Sequence, residues 1–205
     1  MDILVVGGGG REHTIVWKIA QSPLAGKIYC APGNGGIAEI AECVDISATD
    51  IDGIVNFAKE KNVDLVMVAP DDPLVMGMVD ALEKEGIRAF GPRANAAVIE
   101  GSKVFSKDLM KKYNIPTAAY EVFDKAEDAL EYLHTKAKFP IVLKADGLAL
   151  GKGVLICNTL EEAEDGVCTI MTDKKFGTAG NKMVIEEFMT GREVSVLSFT
   201  DGKTI

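Results

Sequence analysis

The sequence has no concentrated positive charge: nowhere do five Lys or Arg follow one another, and 31 acidic against 22 basic side chains leave a formal charge of -9. Nucleic-acid faces and polybasic membrane anchors both need clustered cations, so neither is expected. Long apolar runs are missing as well. No stretch approaches the ~20 residues that span a bilayer, and Met1 leads into Asp2-Ile3-Leu4-Val5-Val6 without the regions of a secretory leader. The expected location is cytoplasmic. Cysteine is sparse: Cys30, Cys43, Cys157 and Cys168 form no C-x-x-C pair, and the two histidines supply no zinc-ligand spacing. The four read as small buried hydrophobes of a reducing compartment. His13 reads as a cap or packing residue and His134 as a solvated helix residue. The negative total does not exclude nucleotides, because backbone N–H groups and a few placed lysines create local positive potential for phosphate.

What is present is an ordinary globular composition, 47% hydrophobic and 26% charged over 205 residues, enough for one large domain or two small ones. Short apolar runs alternate with amphipathic stretches. Strands are expected at Ile3 to Val6, Lys27 to Cys30, Val63 to Val68 and Arg88 to Phe90. Helices are expected after Gly10, around Ile51 to Ala58, and from Leu74 to Glu85. That alternation implies α/β architecture, a parallel sheet with helices on both faces. A second unit begins near Ser102 with a helix from Lys103 to Tyr113. Asp124 with Glu127, and Thr159 with Glu162, have the spacing of capping boxes. Strands are expected at Ile141 to Ala145, Val154 to Cys157, Met183 to Glu187 and Glu193 to Phe199. Asp201-Gly202 reads as a hairpin turn with little return strand after it, so the chain is expected to be part of a longer one.

Two glycine-rich loops carry the chemistry. Gly7-Gly8-Gly9-Gly10-Arg11-Glu12 follows a strand and opens a helix, which suits a phosphate cradle, although about one such loop in three is purely a tight turn for packing. Glu12 stands where a dinucleotide fingerprint needs its third glycine, and no acidic residue closes the second strand, so NAD is not expected. Asp146-Gly147-Leu148-Ala149-Leu150-Gly151-Lys152-Gly153 joins two strands. It is no Walker A loop, since Asp146 replaces the first glycine and Gly153 the Ser/Thr. A glycine-tipped hairpin could still fold over a triphosphate and exclude water. Lys144 before it reads either as a phosphate cation or as a snorkelling strand residue. Glu186-Glu187-Phe188 ends a strand and Glu193 follows the Thr190-Gly191-Arg192 turn. Such carboxylates could accept from an adenine amino group and ribose hydroxyls, or form a solvated edge.

In order along the chain stand Gly8-Gly9-Gly10-Arg11-Glu12-His13, Ala31-Pro32-Gly33-Asn34, Phe90-Gly91-Pro92 and Glu100-Gly101-Ser102-Lys103. They are followed by Ile115-Pro116-Thr117-Ala118, Lys144-Ala145-Asp146-Gly147-Leu148-Ala149, Gly151-Lys152-Gly153-Val154 and Val184-Ile185-Glu186-Glu187. Together these runs resemble the ATP-grasp superfamily and, within it, the glycinamide ribonucleotide synthetases. The resemblance implies a Rossmann-like, pre-ATP-grasp substrate-binding domain over residues 1–101 and a partial ATP-grasp domain over 102–205. The latter would comprise an α+β lid subdomain at 120–190 and the first strands of the central subdomain.

The implied reaction, in purine biosynthesis, is ATP-dependent ligation of glycine to 5-phosphoribosylamine through glycyl phosphate, with Mg2+ or Mn2+. By the same resemblance Lys103 and Lys144 contact ATP phosphates, and Gly147, Gly151, Lys152 and Gly153 belong to the loop that closes over them. Glu186, Glu187 and Phe188 would receive adenine and Glu193 ribose. Gly8, Gly9, Gly10, Arg11, Glu12, Pro32, Gly33 and Asn34 would form part of the phosphoribosylamine pocket, with Asp71 beside them. Partners would be small molecules, not nucleic acid or membrane. Three departures stand out. Asp71, in Ala69-Pro70-Asp71-Asp72-Pro73-Leu74, takes the place of a usual glutamate, and Leu150 that of an alanine. The metal-binding Glu and Asn of the family would fall beyond residue 205, so this chain alone is expected to be inactive. Other ATP-grasp ligases or carboxylases, and a non-catalytic nucleotide-binding module, are the rival expectations.

Overall fold

The computed structural model describes residues 1–149, 152–198 and 203–204. Five strands form its first sheet: β1 (Ile3–Gly7), β2 (Ile28–Pro32), β3 (Glu42–Cys43), β4 (Leu65–Val68) and β5 (Ala89–Phe90). All pair in parallel, in the order β3-β2-β1-β4-β5. β1 lies in the middle and is buried at every position. A strand covered on both faces reads as continuously apolar rather than alternating, as Ile-Leu-Val-Val does. Its pleat still divides two cores. Leu4 and Val6 join Tyr29, Val66 and Val68 under Ile54 and Ala58 of helix α2 (Ile51–Glu60). Ile3, Val5, Ile28 and Cys30 face the other way, onto Val16 of α1 (Gly10–Ile19). The caps are local: Asp50 accepts the Gly53 N–H at 2.9 Å, and Glu12 turns back to accept the Gly9 N–H at 2.6 Å.

The single helix expected from Leu74 to Glu85 is instead two, α3 (Asp71–Val75) and α4 (Met78–Lys84). Gly77 between them has φ 90°, a left-handed conformation that glycine adopts without steric cost and that ends a helix. A further helix, α5 (Ala94–Gly101), was not legible in the sequence. Its cap comes from afar: Asp80 of α4 accepts the Ala94 N–H at 2.8 Å. At Ser102 the backbone becomes extended, and the Ser102 hydroxyl accepts the Phe105 N–H at 3.1 Å to start α6 (Lys103–Lys112).

The second sheet is antiparallel. Its strands β6 (Tyr120–Phe123), β7 (Ile141–Ala145), β8 (Val154–Cys157) and β9 (Met183–Glu187) run in the order β6-β9-β7-β8. One face, bearing Ile141, Leu143, Ala145, Met183 and Ile185, packs under α7 (Ala126–Thr135) and α8 (Leu160–Val167). Lys144 and Glu186 project from the opposite face, towards α6. α8 opens with the expected Thr159 cap, which accepts the Glu162 N–H at 3.2 Å. Its return bond goes to the Asn158 N–H, at 2.7 Å, rather than to Thr159. The expected Asp124 capping box is absent, because the backbone stays extended at Lys125 and the helix begins one residue later.

The strand expected from Glu193 to Phe199 is not formed over residues 193–198. Val194, Val196 and Leu197 are 74%, 88% and 90% exposed there, and among the described residues no strand offers this segment a ladder. Leu150, Gly151, Phe199, the Asp201-Gly202 turn and Ile205 lie outside the described residues. All four cysteines are free, but only Cys30 and Cys157 are buried; Cys168, expected inside, faces outward at the end of α8. No helix among the described residues is long and apolar enough to cross a membrane.

Candidate functional site

In the order β3-β2-β1-β4-β5 the chain winds outward one way from β1 and the other way from β4. Loops leaving neighbouring strands on opposite sides of such a reversal diverge and leave a crevice at the carboxyl ends. A cleft of about 550 Å³ lies there. Its walls are Gly9 to Glu12 after β1, Ala69 to Asp72 after β4, Glu100 and Lys103 at the α5–α6 junction, Gly147 to Ala149 and Gly153 of the β7–β8 loop, and Val154 at the start of β8. Gly9, Gly10, Arg11, Glu12, Asp71, Lys103, Gly147 and Gly153 are thus brought together from 144 residues of separation, Gly9 to Gly153.

The other expected substrate residues support this cleft from beneath. Gly8 packs on Gly33 so closely that a Cβ there would lie 2.5 Å from the Gly33 carbonyl oxygen. The Gly33 N–H donates to the Gly7 carbonyl at 3.0 Å, and the Asn34 amide donates to the Gly8 carbonyl at 2.9 Å. The Asn34 side-chain oxygen in turn accepts the Gly36 and Ile37 N–H groups at 2.9 and 3.0 Å. The Ala31–Pro32 bond preceding this turn is cis. Asn34 thus ties the Gly8 loop to its own turn through its amide nitrogen and braces that turn through its oxygen. Glu12 is buried, and its carboxylate is engaged by Gly9.

The base of the β7–β8 loop is fastened to α6. Asp146 accepts the Ser102 hydroxyl at 3.0 Å and the Val104 N–H at 3.1 Å, while Lys103 Nζ donates to the Gly147 carbonyl at 2.8 Å. A carboxylate at a helix N-terminus satisfies an orphan donor and opposes the positive end of the helix dipole. Lys103 is so directed along the cleft wall. Lys152 is exposed and does not line the cleft; Gly151 lies outside the described residues.

A second cavity of about 200 Å³ adjoins the first, with Glu100 and Lys103 lining both. It is built from α5, α6 and the polar face of the antiparallel sheet. Register places Lys144 opposite Val184 and Val142 opposite Glu186, so Lys144 and Glu186 are diagonal neighbours on one face. Their charged ends meet at 2.9 Å. Lys107, one turn into α6, reaches the same carboxylate oxygen at 3.1 Å and also donates to the Thr117 hydroxyl at 2.7 Å. Glu186 is 4% exposed, and its other oxygen, Oε1, is buried without a hydrogen-bond partner among the described residues. Below this group Tyr120, opposite Glu186 in register, donates its hydroxyl to Asp108 at 2.8 Å. Burial first, and the Asp108 bond second, push that phenol up to about 12.

Lys107 was not singled out from the sequence, where it reads as one more charge on an amphipathic helix. Its burial depends on a strand eighty positions away, and no local spacing signals that. Three expected residues stand apart. Glu187 is exposed; its N–H donates to the Ala119 carbonyl at 3.0 Å, extending the β6–β9 ladder, and its carboxylate accepts the Ala119 N–H at 3.0 Å. Phe188 and Glu193 are exposed on irregular backbone and line neither cavity. Among the described residues no group of three or more His, Cys, Asp or Glu side chains could hold a metal ion. By themselves the described residues therefore assemble no complete Mg2+ or Mn2+ centre of protein ligands.

Residues 1–100 match the family model described as phosphoribosylglycinamide synthetase, N domain, and residues 101–205 match that of its ATP-grasp (A) domain. The chain is 51% identical to the phosphoribosylamine–glycine ligase of Haemophilus influenzae, covering 100% of this chain and 48% of that protein. Identity to the Clostridium acetobutylicum ligase is 49%, over 100% of this chain and 49% of that protein. The crystal structure of the Thermotoga maritima ligase superposes with a TM-score of 0.76 at 30% identity, covering 94% of this chain and 45% of the other. The chain spans about half the length of the curated relatives it matches. With the two family models together matching residues 1–205, it belongs to the phosphoribosylglycinamide synthetase family.

Proposed function

We propose that the full-length protein uses ATP to join glycine to 5-phosphoribosylamine, and that this chain supplies the amine-binding cleft and most of the nucleotide pocket. Residues 1–101 serve as the substrate-binding domain and 102–205 as the opening part of the ATP-grasp domain. The observation that carries the reading is the pair of adjoining cavities, one at the strand-order reversal and one on the polar sheet face, sharing Glu100 and Lys103 as a wall.

Such a ligation transfers a phosphoryl group to a carboxylate and then exchanges phosphate for an amine nitrogen. It needs no protein nucleophile. It needs positioned reactants and cations against the charge that develops on the phosphoryl oxygens. Lys103 and Lys144 take the polyphosphate, with the β7–β8 loop folding over it to exclude water. The orphaned Glu186 Oε1 accepts the adenine amino group, which relieves a buried acceptor that otherwise costs stability. Gly10 and Arg11 receive the ribose phosphate of the amine at the start of α1, where first-turn N–H groups have no partner within the helix, while the Gly9 N–H stays with Glu12. The location is cytoplasmic, consistent with four free thiols.

The test is an assay of the full-length protein for ADP and phosphate release with ATP, 5-phosphoribosylamine and glycine. Release should require both glycine and the amine. Release that follows bicarbonate in place of glycine, or none at all, rejects the proposal. In the same protein Lys144→Ala should weaken ATP binding by about tenfold or more, since a charge-assisted phosphate contact is lost.

A further inference from the structure

Glu186 has two cationic partners on one oxygen, and the two are held differently. Lys144 has a side chain 27% exposed and, among the described residues, no hydrogen-bond partner but Glu186. Lys107 has a side chain 10% exposed, is tethered to the Thr117 hydroxyl at 2.7 Å, and lies 5.6 Å from the centre of the Tyr120 ring. One cation is loosely held at the mouth of the cavity and the other is fixed at its back. A single carboxylate needs one counter-ion, so two cations leave a net positive charge facing the space where a polyphosphate fits.

We propose that Lys107 is the permanent counter-ion of Glu186, and that it frees Lys144 to leave the carboxylate for an incoming nucleotide's phosphates. This rests on the nucleotide site of the preceding section. Without Lys107, Lys144 could reach a phosphate only by leaving Glu186 as an uncompensated buried anion, an outcome that is strongly unfavourable. Lys107 touches neither cavity mouth nor reacting atoms. It is a positioning residue that acts through Glu186 and Lys144.

Proton uptake on nucleotide binding distinguishes a counter-ion from a merely structural lysine. A buried carboxylate that loses both cations lowers its cost by taking up a proton. The charged and titratable groups facing Glu186 are Lys103, Lys107 and Glu100 from the helices, Lys144 from β7 and Tyr120 from β6. In the wild type the carboxylate stays compensated through binding. In Lys107→Met, binding of ADP should become coupled to uptake of about one proton.

The experiment is calorimetric titration of the full-length protein with ADP at pH 6, 7 and 8, in two buffers of different ionisation enthalpy. Lys107→Met should bind ADP about thirtyfold more weakly at pH 8, the penalty typical of removing one partner of a buried charge pair, and should recover affinity towards pH 6. Lys107→Arg should stay within a few fold of the wild type. The empty proteins should all fold, because Lys144 still compensates Glu186 when no nucleotide is present. Lys107→Gln, which keeps a hydrogen-bonding head, serves if the Met variant melts early.

A wild type that binds no ADP rejects the nucleotide site itself. If the wild type binds while Lys107→Met or Lys107→Gln matches it, or is weakened equally at all pH values without extra proton uptake, the counter-ion role is overturned. It is also overturned if neither neutral variant folds.

Discussion

At the scale of single residues, close approach and burial decide most of what can be tested. Gly8 faces the Gly33 carbonyl, a backbone atom that cannot swing aside. Gly8→Ala should therefore lower unfolding free energy by about 1–3 kcal/mol in a urea titration, the usual range for forced overpacking. Cys30 is fully buried, and burial first, with Cys43 and Glu12 behind it, pushes its thiol from 9.0 up to about 12. The folded protein thus holds this proton more tightly than the unfolded chain. The resulting stability is complete below pH 9.0 and is lost as pH rises from there to about 12. Tyr120 titrates in an overlapping range, so the expected result is a difference: Cys30→Ala should show a shallower alkaline loss of stability than the wild type. A thiol-modifying reagent should label Cys168 rapidly and Cys30 only on unfolding, which quantitative mass spectrometry would resolve.

Elements are where the sequence was most and least readable. β7, β8 and β9 match the expected strands end for end, since alternating or continuous apolar runs bounded by polar turns specify them locally. β6, α5 and the break at Gly77 were not legible, because each depends on a remote partner or on backbone conformation. Tyr120 to Phe123 becomes a strand only by pairing with β9, and Ala94 starts a helix because Asp80 caps it. The candidate site divides the same way. Lys103, Lys144, Glu186 and the glycine loops carry recognisable motifs; Lys107 is made important by packing alone, and Thr117, though part of a recognisable run, gives no sign in sequence of its bond to Lys107. The α6 cap offers a test at this scale. Asp146→Ala should cost about 1 kcal/mol for the lost cap, and amide exchange at Val104 should accelerate. If exchange there is unchanged, Asp146 is not what fastens the β7–β8 loop to the helix.

For the molecule as a whole, charge and architecture pull in different directions. The chain carries -9 overall, yet Lys103, Lys107 and Lys144 all line one cavity. Long-range repulsion of polyanions and short-range attraction of a small phosphate ligand can coexist, since salt screens the first over about 8–10 Å. The protein is accordingly expected to pass through a heparin column at low salt without retention while still binding ADP in the full-length form. Retention on heparin would mean that the surface potential is organised otherwise. The cavities themselves are a product of assembly: the first takes walls from the loops of both sheets, and the second from α5, α6 and two strands of the antiparallel sheet.

In β9, Val184 and Glu186 look to one side of the sheet while Met183 and Ile185 look to the other. That parity works like a reading frame. Inserting or deleting a single residue within Met183–Glu187 would turn the carboxylate into the oily layer beneath α7 and α8 and bring isoleucine to face the lysines. Length changes can accumulate in the turns before and after the strand, but inside it they must come in twos.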